Sequence, residues 1–224
     1  MGSSYHQFCP VAKAMELLDE RWTMLVVREL VTGSRHFNEL RRGLPRMSPG
    51  LLSKRLQQLI RAGVVKKQAN GSEVQYVMTP AGVELRTVIE SIGAWGIRWI
   101  GELGEEDLDP QLLLWDIHRN IDHSLVRGEK MVVKFTFPEL QPKAQHWWLV
   151  INRNDADVCD FDPGYEVSVS VVGGLRAMTE IWRGDRGWDL ALRAGTIELE
   201  GSRDECRLLP RLLTLSTFAA VTRP

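Results

Sequence analysis

The stretch Arg46–Gly63, RMSPGLLSKRLQQLIRAG, constrains the fold more than any other part of the chain. Ser48 is a helix cap, Pro49 suits the first helical position and Gly63 is a stop. Between them Leu52, Leu56, Leu59 and Ile60 recur at helical spacing, which makes one face core. The opposite face carries Gly50, Lys54, Gln57 and Arg61, with Ser53 beside it. A solvated surface helix mixes Glu among its Lys and Arg. This row has donors and no carboxylate, which fits a helix laid in a DNA groove.

The flanking chain supports that placement. Residues 11–20 put Val11, Met15 and Leu18 on one helical face, and Trp22–Val31 is a second helix with Trp22, Leu25, Val26 and Leu30 inward. Thr32-Gly33-Ser34 breaks it, and Phe37–Arg42 is a short third helix with Phe37 and Leu40 inside. Leu44-Pro45-Arg46 then turns into the opening helix, giving a helix-turn-helix. After Gly63, Val64–Gln68 and Glu73–Met78 flank Ala69-Asn70-Gly71-Ser72. Asn-Gly between β-prone runs signals a hairpin, the wing of a winged helix. Thr79-Pro80 starts a long helix expected to reach Gly104, with Leu85, Val88, Ile89, Ile92, Trp95, Trp99, Ile100 and Leu103 in its apolar stripe. A small winged domain cannot cover so long a stripe, so part of it is expected to meet a second subunit. Gly93, Gly96 and Gly101 within it serve either close helix–helix approach or a bend.

Charge divides the chain where the texture changes. Residues 1–104 hold fourteen Lys/Arg against nine Asp/Glu, a net of +5, and residues 105–224 hold fourteen against twenty, a net of −6. Within 28–67, ten basic residues face only Glu29 and Glu39. A basic front favours a polyanion, and an acidic back should stay off it. The expected domains are therefore 1–104, a winged helix-turn-helix for DNA binding and dimerisation, and 105–224. Pro110–Asp122 fits a helix, and Met131–Phe137, Trp147–Asn152, Asp157–Phe161 and Glu166–Val172 read as strands, antiparallel if short hairpins join them. Helices at 173–182 and 186–193, a strand at 195–201 and a helix at 203–215 follow, so the second domain is α+β with an antiparallel sheet.

Cys9, Cys159 and Cys206 are odd in number and far apart, which argues against a disulfide framework or zinc site and for a reducing cytoplasm. No segment approaches the roughly 18 apolar residues of a membrane span. His118 and His123 with Asp116 and Asp122 do not stack at ligand spacing, and no nucleophile–base order or nucleotide fingerprint is present. The reading is of a non-enzyme with no cofactor, no metal and no membrane partner.

From Cys9 to about Trp99 the chain resembles the HxlR family of bacterial transcription regulators. The resemblance rests on Cys9-Pro10, Arg21-Trp22-Thr23, Arg35-His36-Phe37-Asn38-Glu39-Leu40, Met47-Ser48 with Leu52-Ser53 and Leu56, Leu59 through Gly63-Val64, Gln75-Tyr76 with Thr79-Pro80 and Gly82, and Trp95. It implies a winged-helix homodimer that places its recognition helix and wing on double-stranded DNA. Gly184–Gly201, GDRGWDLALRAGTIELEG, is similar to the closing part of the sterol carrier protein fold: a helix, an Ala-Gly turn and a strand ending in Gly. That fold implies an apolar space between sheet and helices for a lipid or another apolar small-molecule effector. The alternative is an apolar-ligand carrier whose first domain serves assembly.

The candidate residues follow. Lys54 and Gln57, with Ser53, are assigned to base edges, and Arg35, Arg41, Arg42, Lys66 and Lys67 to phosphates. Arg46 suits either role, and Ser48, Arg61 and Asn70 complete the DNA-facing set. Cys9 is either an inert small apolar residue or, as in some HxlR relatives, a redox switch. Trp115, Phe135, Trp148, Trp182 and Trp188 are either plain core or the lining of a ligand pocket.

Overall fold

The protein is described by a computed structural model over residues 4–71, 73–100 and 102–223, with the backbone alone at residue 70. It divides into two compact units, Met1–Gly96 and Ile97–Pro224, so the expected boundary at 104–105 falls inside the second. Among the described residues no helix is long and apolar enough to cross a membrane.

The first unit runs α1 (Pro10–Leu18), α2 (Thr23–Val31), α3 (Phe37–Arg42), α4 (Pro49–Arg61), β1 (Val65–Asn70), β2 (Glu73–Met78) and the start of α5 (Pro80–Trp99). Its core gathers Val26, Val27, Leu30 and Val31 of α2, Leu40 of α3, Leu52, Leu56 and Leu59 of α4, and Val64 and Val65. One inward assignment on α2 fails. Trp22 stands just before α2 in a left-handed conformation (φ 78°) and still packs, partly buried, against the core, while α2 begins one residue later than its sequence implies. The buried face thereby rotates onto Val26–Val27 and Leu30–Val31, and Leu25 is left exposed. Val11 on α1 is likewise exposed.

The hairpin is tighter than expected. Asn70 pairs with Glu73, so Ala69 and Asn70 belong to β1 and the turn begins only at Gly71. Gly71 has φ 61°, the sign a two-residue hairpin loop needs at its first position. Ser72 lies outside the described residues. At the start of α5, Thr79 donates to the carbonyls of Gly63 (2.6 Å) and Val64. A Cβ on Gly82 would lie 2.2 Å from the Val64 carbonyl oxygen, so only glycine lets α5 begin this close to β1.

α5 is shorter than its apolar pattern. Its 20 residues end at Trp99, not Gly104, and span about 30 Å at 1.5 Å per residue. The glycines at 101 and 104 offer little helix propensity beyond that point; Gly101 itself lies outside the described residues. The helix runs through Gly93 and Gly96 unbroken, and nothing lies within 4 Å of a Cβ on Gly96. The stripe also splits: Leu85 and Ile89 pack against the first core, while Val88, Ile92, Trp95 and Trp99 remain exposed.

The second unit contains α6 (Pro110–His118), β3 (Lys130–Thr136), β4 (His146–Asn152), β5 (Ala156–Cys159), β6 (Val169–Gly173), α7 (Leu175–Arg183), α8 (Trp188–Arg193), β7 (Ile197–Gly201) and α9 (Arg203–Leu212). The sheet order is β5-β4-β3-β6-β7. It is mixed, not antiparallel, because β6 runs parallel to β3. Residues 160–168 form a crossover that returns the chain to the start of the sheet on the far side of β3, where a hairpin would have set β6 beside β5. Strand alternation sends Met131, Val133, Phe135, Trp147, Leu149, Ile151, Val169, Val171 and Ile197 into one core with residues of α6, α7, α8 and α9. The unit is thus a two-layer α+β domain.

Candidate nucleic-acid interface

The exposed helix face comes from the spacing already described. Ser48 Oγ accepts the Leu51 N–H at 3.3 Å and Pro49 occupies the first turn, so α4 starts where its capping signal lies. Leu52, Leu56 and Leu59 are buried, and Lys54, Gln57 and Arg61 are exposed on the other side, with Ser53 half-buried between the faces. Arg41 and Arg42 end α3 and Arg46 stands in the turn, all three exposed.

The wing is tied to the helix-turn-helix through Arg35. Tyr76 N–H of β2 donates to the Arg35 carbonyl at 2.8 Å, which sets the exposed Arg35 side chain beside the hairpin. Lys66 and Lys67 are both exposed on β1, paired with Val77 and Tyr76. Being adjacent in a strand, they point to opposite faces of the ribbon. The side chain of Asn70 lies outside the described residues.

The electrostatics depend on where the two carboxylates of 28–67 go. Glu29 is fully buried, accepting from Arg28 (2.8 Å) and from Ser34 Oγ (3.2 Å). A Cβ on Gly43 would sit 1.8 Å from its Oε2, so glycine at the end of α3 leaves the room this carboxylate fills. Glu39 caps α3 from within, accepting the backbone N–H groups of Arg35 (2.6 Å) and His36 (2.9 Å). Both acids are held by local hydrogen bonds. Arg35, Arg41, Arg42, Arg46, Lys54, Arg61, Lys66 and Lys67 remain exposed around them, an arrangement that attracts a polyanion.

Arg61 has a second environment. It borders a cleft of about 320 Å³ between α1 and the end of α4, with Lys13, Glu16, Glu20 and Gln58 on the other walls. Hydrogen bonds from Lys13 and Ser4 hold the Glu16 carboxyl below its usual range. Cys9 is the half-buried residue preceding α1, and its carbonyl accepts the Lys13 N–H at 3.0 Å.

One member of this region was missed from sequence. Arg55, counted there as one more basic residue, is buried on the core side of α4. The signal was available: position 55 is three residues after Leu52 and four before Leu59, within the apolar stripe.

The aromatic set of the second unit does not share one wall. Trp115, Phe135, Trp182 and Trp188 belong to the core between sheet and helices. Trp148 is buried on the other face of β4, 5.6 Å from Lys134 Nζ and beside His146, because adjacent strand residues point oppositely. The indole N–H of Trp188 is buried and meets no acceptor among the described residues. A cleft lined by Arg127, Lys130, Met131, Asp204, Glu205 and Leu208 holds only about 50 Å³. Among the described residues no three His, Cys, Asp or Glu side chains gather to hold a metal ion.

Comparison with known proteins places the first unit. The HTH-type transcriptional regulator YvaP of Bacillus subtilis (strain 168) is 35% identical over 98 residues, covering 42% of this chain and 91% of YvaP. The HTH-type transcriptional regulator sll1512 of Synechocystis is 33% identical over 95 residues, covering 41% of this chain and 70% of its own. The reduced form of the transcriptional regulator YodB from B. subtilis is a solved structure of 28% identity and TM-score 0.38, covering 42% of this chain and 97% of its own. These relatives are transcription regulators, not enzymes. A model of the HxlR-like helix-turn-helix family matches residues 17–103, and with YvaP matched over nearly its whole length the chain belongs to that family.

Proposed function

We propose that the protein is a cytoplasmic transcription regulator that binds operator DNA as a homodimer. The observation that carries this reading is the exposed basic surface within residues 28–67, where the two carboxylates, Glu29 and Glu39, are both engaged by neighbouring donors. α4 enters the major groove, with Lys54 and Gln57, supported by Ser53, at base edges. Arg35, Arg41, Arg42, Lys66 and Lys67 hold phosphates and set the register, and Arg46 contributes at the helix-turn-helix turn. Self-association is supported by Val88, Ile92, Trp95 and Trp99, an exposed apolar row at spacings of four, three and four. A two-fold dimer presents two recognition helices to half-sites roughly 34–36 Å apart.

The second unit carries the other part of the proposal, a sterol-carrier-like domain whose apolar ligand biases DNA binding. Its support is the single apolar layer between sheet and helices, with the unpaired Trp188 N–H inside it, and the Gly184–Gly201 stretch folded as helix, turn and strand. Such coupling requires that the ligand bind the two dimer states with different affinity.

Selection of bound fragments from the source genome, comparing the wild type with Lys54→Ala/Gln57→Ala, tests the reading. A short two-fold-symmetric site lost in the double variant is the expected result. No enrichment by the wild type, with or without fatty acids added as probe, overturns it in favour of an apolar-ligand carrier.

A further inference from the structure

The recognition helix holds a cation that is turned away from solvent. Arg55 is 5% exposed although its neighbour Lys54 is exposed to solvent. Its guanidinium donates three ways: Nε to the Arg21 carbonyl at 3.0 Å, Nη1 to Gln58 Oε1 at 2.7 Å and Nη2 to Glu20 Oε2 at 2.7 Å. Gln58 lies one turn along α4, whereas Glu20 and Arg21 lie in the turn between α1 and α2. That turn is itself fixed, with Thr23 N–H on the Glu20 carbonyl (2.9 Å), Val26 N–H on the Trp22 carbonyl (2.9 Å) and Trp22 in its left-handed conformation.

The two kinds of contact under α4 constrain it differently. Leu52, Leu56 and Leu59 attract the helix to the core without a preferred direction, so small rotations and slides cost them little. A planar guanidinium bonded along three directions is sensitive to angle as well as distance. Base-edge recognition needs this second kind of constraint, because its hydrogen bonds fail when the donor is displaced by about an ångström. With its acceptors all within the protein, Arg55 is not placed to serve as a phosphate ligand.

We propose that Arg55 is a positioning residue: its bonds to Glu20 and Arg21 set the rotation of α4 about its axis, so that Lys54 and Gln57 meet base edges. The proposal rests on the DNA-binding reading and adds to it the residue that sets sequence discrimination without touching DNA. It also makes Glu20, an acid of the turn between α1 and α2, a determinant of the same property.

The test uses the full chain, the operator recovered by genomic selection and an unrelated duplex of equal length, with binding measured over a range of salt concentrations. Arg55→Lys keeps the charge and loses the fork. Its operator affinity is expected to fall about tenfold and its affinity for the unrelated duplex by less than about twofold, with the salt slope unchanged. Base preferences at the positions read by α4 flatten. Glu20→Ala, at a partly exposed site that leaves α4 intact, is expected to do the same where Arg55→Lys fails to fold, and Glu20→Gln, which keeps an acceptor oxygen, recovers most of the discrimination. Folded variants with wild-type affinity and preferences overturn the clamp. A salt slope lower by about one unit overturns it by making Arg55 a phosphate contact. Equal loss on both duplexes overturns it by leaving only a stability role. A wild type that prefers no duplex overturns the DNA reading itself, a result distinct from these.

Discussion

The two units handle their most distinctive side chains in opposite ways. In the first, eight cations of residues 35–67 are displayed and the nearby acids are drawn into hydrogen bonds, so the chemistry lies on the surface. In the second, Trp115, Phe135, Trp147, Trp182 and Trp188 are buried in the core on the helix-covered side of the sheet and Trp148 is buried on the other. A conspicuous residue type marks a surface site only where the fold leaves it outside. Charge alone does not decide this either: Lys54 and Arg55 are neighbours on one helix, and only the first is displayed.

The largest effect that could break this contrast is in the second unit. Trp182→Ala, removing an indole from the core between α7 and the sheet, should destabilise the protein by about 3–5 kcal/mol, read by thermal or denaturant unfolding. Near-wild-type stability would show that the aromatic cluster is loosely filled and available to a ligand. In the first unit, Gly43→Ala drives a methyl group into the buried Glu29 carboxylate and should cost about 1–3 kcal/mol by the same measurement. A neutral result would mean that Glu29 moves aside easily and does not brace the α2–α3 corner.

Smaller effects sharpen the reading of the exposed surfaces. Trp95→Ala removes the indole from the outward row of α5, and self-association followed by sedimentation should weaken about tenfold while unfolding stays unchanged. An unchanged dimer would assign that row to another partner. The smallest change is expected from the wing: Lys66→Ala and Lys67→Ala should each lower the salt slope of DNA binding by about one, equally on all sequences. An effect limited to particular sequences would turn a phosphate contact into a base reader.

Much of the first unit was legible because its signals are local. Ser48, Pro49 and Gly63 bound α4, glycine at 71 supplies the positive φ of the hairpin loop, and Thr79-Pro80 opens α5; each acts within a few residues, so order along the chain suffices. The polar face of α4 follows from periodicity for the same reason. Alternation along Met131–Phe137 puts Met131, Val133, Phe135 and Phe137 on one side, and all four are buried.

Tertiary structure decided what depends on partners distant in sequence. Periodicity put Leu85, Val88, Ile89 and Ile92 in one stripe, and only the position of the first core separated the inward pair from the outward one. The parallel pairing of β3 with β6 depends on a crossover whose direction no local signal records, because parallel and antiparallel strands share one side-chain alternation. Arg55 was on the correct face to be noticed, but its role needed Glu20 and Arg21, brought to it from more than thirty positions away. The sequence by itself thus determined the helix-turn-helix and its wing. The fold decided which charges stay in water, because burial and hydrogen-bond direction arise only when separate segments meet.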